Sequence, residues 1–420
     1  MSHELPQADT VVRHAGLLAT LKGARPRLGA DLRDIGAIKS AAVAIHQGRI
    51  VFVGPESDLA AGVRTTANVI EIHANRAAVI PGFVDAHTHL AYAGDRDDEI
   101  RGRLAGATYE EIAAQGGGIV KTVTATRAVT LKDLTQLIRA RLDRALVLGT
   151  TSAEVKSGYG LSVAAERTSL EAITAAAVGH PVRVVRTYLG AHEIPLDRRA
   201  DREHYISEMV GTAIPDIARL RLAEFADVFC ERGVFTTDES RRILRAASAE
   251  GLALRIHADE FSDQGGAALA AELHARSADH LIQVSDQGIA AMAKAGVVAT
   301  LMPSASFFLK LGKFAPARKM IEAGVAIALG SDTNPGGGLS ASIPFAMTLA
   351  CFGMGLSVEE ALSAATIGGA MSLGLENEVG SIEVGKRADL LILKSDRLLD
   401  LVRVGENPVA RVLANGRVAA

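Results

Sequence analysis

Five of the twelve histidines in this 420-residue chain stand where an apolar run gives way to polar residues. His87 and His89 close Pro81-Gly82-Phe83-Val84-Asp85-Ala86-His87-Thr88-His89. His192 sits in Leu189-Gly190-Ala191-His192-Glu193, His257 opens His257-Ala258-Asp259-Glu260, and His280 follows Ala278-Asp279. Residues i and i+2 of a strand face the same way, so His87 and His89 present both imidazoles to one point. One divalent cation could accept both. A further apolar run ends in Ser331-Asp332-Thr333-Asn334-Pro335-Gly336-Gly337-Gly338. Two histidines from one strand end, His257 and Asp332 make a mixed nitrogen and oxygen donor set with room for a water, as catalytic sites have. Such donors suit zinc and equally Fe(II), manganese or nickel.

These residues need a scaffold that brings distant strand ends together. Between about 76 and 375, apolar runs at 77–85, 147–155, 182–189, 225–230, 252–256, 278–281, 297–302 and 325–330 alternate with helical patterns. Eight such units in a segment of this length predict a (β/α)8 barrel, whose active residues sit at the C-terminal strand ends. A doubly wound sheet would want a glycine-rich phosphate loop after its first strand, and here His-Thr-His follows. Thr236-x-x-Glu239 and Ser357-x-x-Glu360 predict helix starts, and Gly251 and Gly374 helix stops. The flanks, 1–75 and 376–420, read as β. Runs at 42–46 and 49–54 surround Gln47-Gly48, a further strand falls at 69–72, and those near 388–393 and 408–418 include an Asn415-Gly416 turn. Both flanks are expected to build one small β domain.

Composition narrows the partners. A net charge of −3, 4% aromatics, no Trp and no basic run are poor material for binding nucleic acid. No apolar stretch is long enough to predict a membrane span, and the first residues lack the blocks of a signal peptide. Two cysteines without a CxxC spacing predict reduced thiols and a cytoplasmic protein. Arg139 to Arg144 reads as a solvated helix face. Met292 and Met302 read as core, and Ser304 and Ser306 show no neighbouring base that would make either a nucleophile. Gln115-Gly116-Gly117-Gly118 lacks a P-loop lysine and is expected to form a lid over the site.

Pro81 to His89 resembles the first-strand signature of the amidohydrolase superfamily, whose members pair a metal-binding (β/α)8 barrel with a β-sandwich built from both termini. Within it, the chain is similar to the imidazolonepropionase family over nearly its full length. The matching segments are 154–161, 189–193, 257–261 and 331–336. The resemblance implies a metal-activated water that opens the ring C–N bond of 4-imidazolone-5-propanoate, giving N-formimidoyl-L-glutamate in histidine degradation. It implies His87, His89, His257 and Asp332 as metal ligands, and Glu260, His280 and Asp332 as catalytic groups. Arg96 would pair with the substrate carboxylate. Tyr159, His192, Glu260, Asn334, Gly336, Gly337 and Tyr109 would also contact substrate.

Two-metal members of the superfamily bridge their ions with a carboxylated lysine at the end of strand 4. Here that strand ends Phe229-Cys230-Glu231, so a single ion, Zn2+ or Fe2+/Fe3+, is expected. Lys156 is expected to be structural or to support the ligands. The family usually has Ser or Thr where Gly337 stands, and the departure leaves only backbone N–H groups to meet a bound anion. A homodimer is implied as well. The rivals are an aminohydrolase of a purine or pyrimidine, which needs no carboxylate-binding arginine, and a barrel that binds metal without catalysis.

Overall fold

The computed structural model describes residues 5–106 and 117–420, and among them it holds two eight-stranded sheets. The first gathers both ends of the chain. Its strands are β1 (Gln7–Ala19), β2 (Ala37–His46), β3 (Arg49–Pro55), β4 (Arg64–His73), β5 (Ala78–Pro81), β14 (Leu390–Leu393), β15 (Val409–Ala414) and β16 (Arg417–Val418). They run in the order β16-β15-β14-β5-β1-β2-β3, with β4 also paired to β1. Because the sheet branches at β1, it folds over a core that includes Val12, Leu18, Val43, Ile72, Val79 and Leu413. Both expected turns form as two-residue connections with positive φ at each residue, 49° and 80° at Gln47-Gly48 and 51° and 77° at Asn415-Gly416.

The second sheet is parallel and follows chain order: β6 (Phe83–Asp85), β7 (Thr150–Lys156), β8 (Arg183–Ala191), β9 (Phe225–Cys230), β10 (Ala253–Ala258), β11 (Ser277–His280), β12 (Val298–Leu301) and β13 (Ile327–Leu329). Just past its outer strands the ring is drawn shut. His89 N donates to Thr333 O at 2.9 Å and Asp332 N to His87 O at 3.0 Å. The result is the (β/α)8 architecture, with the ligand-bearing turns stitched to each other. Both capping boxes form, and Gly251 and Gly374 follow their helices with φ of 85° and 70°.

Two expectations need correction. The run at 77–85 is not one barrel strand: it breaks at Gly82, with β5 in the first sheet and β6 in the second. Gly82 N donates to Asp389 O at 2.9 Å, and a Cβ there would overlap the Thr151 hydroxyl, so only glycine lets the two sheets meet this closely. The helix Leu131–Val147 does not leave Arg141 in solvent. Its guanidinium lies 3.4 Å above the Tyr92 ring and donates to Leu90 O at 2.7 Å and Tyr92 O at 2.6 Å. The loop after His89 presents carbonyls that need a donor, and Arg141 provides one.

Met292 and Met302 are buried, as expected. Both cysteines are free thiols. No helix among the described residues is long and apolar enough to cross a membrane. Tyr109, Gln115 and Gly116 lie outside the described residues.

Candidate metal centre and active-site cavity

Alternation along the barrel strands carries charge, not only apolar bulk, into the barrel. His87, Glu154, Lys156, Asp227, Arg255, His257 and Asp279 are all buried there. Above them the expected ligands converge. His89 Nε2 lies 3.2 Å from His87 Nε2, 3.3 Å from His257 Nε2 and 3.4 Å from Asp332 Oδ1, and His87 Nε2 is 3.7 Å from the same oxygen. Donors about 2.1 Å from a tetrahedral ion stand roughly 3.4 Å apart, so this spacing fits a single divalent ion. His87, His257 and His280 form a second converging group. The buried Nδ1 atoms of His89 and His280 have no hydrogen-bond partner among the described residues.

Electrostatics favour ligation. Burial, followed by the charge of Lys156, drives His87 well below the usual histidine range, and burial with the crowding of neighbouring imidazoles does the same for His89 and His280. Neutral imidazoles keep the lone pairs a metal needs. Burial pushes Asp332 up to about 7, against the pull of His257. Asp279 Oδ2 sits 2.7 Å from His87 Nδ1 and so fixes that ring with Nε2 toward the centre. Asp227 Oδ2 lies 3.0 Å from His257 Nδ1, off the line of the ring N–H, and Asp227 Oδ1 accepts from His257 N at 3.2 Å.

A cavity of about 350 Å3 opens above this floor. His89, His257, His280 and Asp332 face it. So do Arg96, Tyr159, His192, Glu260, Asn334, Gly336 and Gly337, which gathers every described residue expected to touch substrate. His87 and Lys156 lie beneath and do not line it. Arg96 Nε donates to Thr122 Oγ1 at 2.8 Å, and burial weakens the acidity of the Tyr159 hydroxyl. Burial, helped by Asp332 and Glu231, lifts Glu260 well above the usual carboxyl range, and His192 falls to about 3 for the same first reason.

Gly336 and Gly337 differ from expectation. Their N–H groups donate to Asn334 Oδ1 at 2.8 and 2.6 Å, so they are already engaged within the loop. Gly336 serves by being small: a Cβ there would overlap Arg96 Nη1.

Sequence reasoning missed the charged rim, Glu99, Arg103, Glu231 and Arg232. Arg103 stands two helical turns beyond Arg96, a spacing that places both on one face, and its Nη2 donates to Gly336 O. Glu231, just past the end of β9, accepts from Phe261 N at 2.8 Å and from Ser262.

Comparison with known proteins agrees with this geometry. The model of the amidohydrolase family matches residues 78–419. An imidazolonepropionase of Symbiobacterium thermophilum is 50% identical over 98% of this chain and 97% of its own length. One from Geobacillus kaustophilus is 45% identical over 97% of both chains. Among solved structures, an adenosine deaminase from Xanthomonas campestris with bound zinc superposes with a TM-score of 0.70 at 20% identity, covering 99% of this chain and 93% of that one. A triazine hydrolase variant reaches 0.71 at 17% identity, covering 97% of this chain and 94% of that one. These distant structures share the fold. By its sequence relatives and its family match, the chain belongs to the amidohydrolase family and, within it, to the imidazolonepropionases.

Proposed function

We propose that this chain opens the ring C–N bond of 4-imidazolone-5-propanoate to give N-formimidoyl-L-glutamate in histidine degradation. One observation carries the reading: a single cavity joins a His/Asp donor set on its floor to the Arg96 guanidinium on its wall. His87, His89, His257 and Asp332 would hold one ion, Zn2+ or Fe2+/Fe3+, since β9 ends without a lysine to bridge a second. When bound, such an ion lowers the pKa of a water from about 15.7 to roughly 7 and polarises the carbonyl under attack.

The residues divide the remaining work. Arg96 takes the propionate through paired N–H donors, with its Nε held by Thr122. Tyr159, whose phenol stays protonated in its buried position, and His192 offer donors to the ring's polar atoms. Hydrolysis adds the water oxygen to the ring carbonyl carbon, which becomes a carboxylate. A water proton must reach the departing ring nitrogen. Asp332 and His280 face the attacking water, and Glu260 carries the proton across, since burial keeps its carboxyl protonated at higher pH than usual. The reading extends to a cytoplasmic homodimer, supported by two free cysteines on the first count and by family resemblance on the second.

The test is metal analysis followed by product identification, with Arg96→Ala beside wild type. Loss of a charged hydrogen-bond pair should weaken kcat/KM roughly 10- to 100-fold. Wild-type rates in Arg96→Ala, or no N-formimidoyl-L-glutamate from the wild type, would sink the substrate assignment. A deaminase without need of a substrate carboxylate would tolerate the change.

A further inference from the structure

Lys156 takes no part in the chemistry above, yet it lies at the centre of the buried charge beneath the donor set. Its Nζ is 2.6 Å from Glu154 Oε1, 2.7 Å from Asp227 Oδ2 and 3.8 Å from Asp279 Oδ2, and all four side chains are fully buried. Each of these carboxylates also grips one part of the site. Glu154 Oε2 accepts from Thr88 N at 3.2 Å, and Glu154 O accepts from Thr88 Oγ1 at 2.6 Å, which fixes the residue between His87 and His89. Asp227 holds the His257 backbone and lies beside its ring. Asp279 orients His87. Arg255 closes the arrangement, with Nη2 3.0 Å from Asp279 Oδ2 and 2.9 Å from Ala86 O.

Three carboxylates against two cations leave one negative charge under the floor, the right sign beneath a bound cation. The carboxylates themselves are crowded. Without an ammonium between them, Glu154 and Asp227 would repel across a medium with little screening, and each would turn from the partner it holds.

We propose that Lys156 is a positioning residue of the metal centre: its ammonium locks Glu154, Asp227 and Asp279 into the arrangement that presents His87, His89 and His257 to one ion. The inference rests on the reading that this donor set binds a divalent metal. It assigns the role to charge at Nζ, whereas a packing role would be met by any side chain of similar volume.

The experiment compares wild type with Lys156→Met and with the double variant Lys156→Met/Glu154→Gln. The double variant removes one cation and one anion together, so it keeps the buried charge balance if the single variant does not fold. Each protein is stripped of metal and titrated with Co2+, reading the visible ligand-field spectrum and the affinity in competition with a chelator. The metal-free melting temperature is measured in parallel. Wild type should take up one Co2+ per chain. The variants should bind it roughly 10- to 100-fold more weakly, as loss of a ligand's orienting partner does, and with a shifted spectrum. A wild-type spectrum and affinity in whichever variant folds would overturn the proposal, however far the melting temperature falls. A wild type that binds no Co2+ would remove the metal reading itself, and this inference with it.

Discussion

Glu260 Oε1 lies 3.6 Å from His280 Nδ1, and both side chains are buried where the cavity meets Asp332. Burial moves the two groups in opposite directions, the carboxyl well up and the imidazole well down. The carboxyl therefore holds a proton at a pH where a free one would not, next to a ring that stays neutral. A hydrolysis that takes a proton from water and returns it to nitrogen needs such a neighbourhood.

Glu260→Gln keeps the shape of this pair and removes its ability to pass a proton. We expect kcat to fall roughly 10²- to 10⁴-fold while bound metal is unchanged. Steady-state kinetics beside elemental analysis checks both halves. Wild-type turnover in the glutamine variant would exclude Glu260 as the proton carrier.

Gly336→Ala should act through Arg96. The added methyl overlaps Arg96 Nη1, and the tie from Nε to Thr122 limits how far the guanidinium can retreat. A displacement near 1 Å at a binding group can cost about 10²-fold, so KM should rise steeply while bound metal stays the same. An unchanged KM would mean that the guanidinium does not depend on Gly336 for its position.

His257→Ala removes one donor from a set whose atoms stand 3.2 to 3.4 Å from His89 Nε2. Metal retention on dialysis should collapse, and activity with it. The metal-free form should also melt lower, because the change leaves buried Asp227 without its His257 neighbour, so metal content is the deciding readout. Elemental analysis measures the first and calorimetry the second. Full metal content in the variant would leave the ion to His87, His89 and Asp332, which converge without His257.

Stability at alkaline pH should carry the signature of Lys386. Its buried Nζ donates to Glu376 O at 2.6 Å and Val379 O at 3.2 Å, and burial lowers its pKa to about 8. An unfolded lysine titrates near about 10.4. Between those values the unfolded chain holds a proton that the folded chain has released, so this residue's contribution rises with pH. It is complete above the unfolded value and lost as pH falls through about 8. The difference in melting temperature between wild type and Lys386→Met should therefore change across this window. A constant difference would refute the assignment.

Much of this was readable before any fold was known. The barrel strands are buried on both sides, so they stand out as apolar runs, and their polar ends mark the site. β1 was harder to see. Its register shifts between Val12 and Ala15, and that bulge breaks the alternation by which a strand is recognised. The break at Gly82 was hidden because both sheets ask for apolar residues on either side of it, while the reasons for glycine, Thr151 and Asp389, lie far along the chain. Alternation puts Glu154 with Lys156, and Arg255 with His257, on shared faces. Which of them meet is decided only when β7, β9, β10 and β11 curve around one axis.

The joint at Gly82 also ties the first ligand to the far end of the described chain. β5 pairs on one side with β14, whose Leu390, Leu391 and Ile392 oppose Pro81, Ile80 and Val79. Five residues after the joint comes His87. The segment leading into the first ligand is therefore fully paired only once a strand from far along the chain has docked beside it. A change that unseats β14 should thus be felt at the first ligand, although β14 touches no part of the donor set.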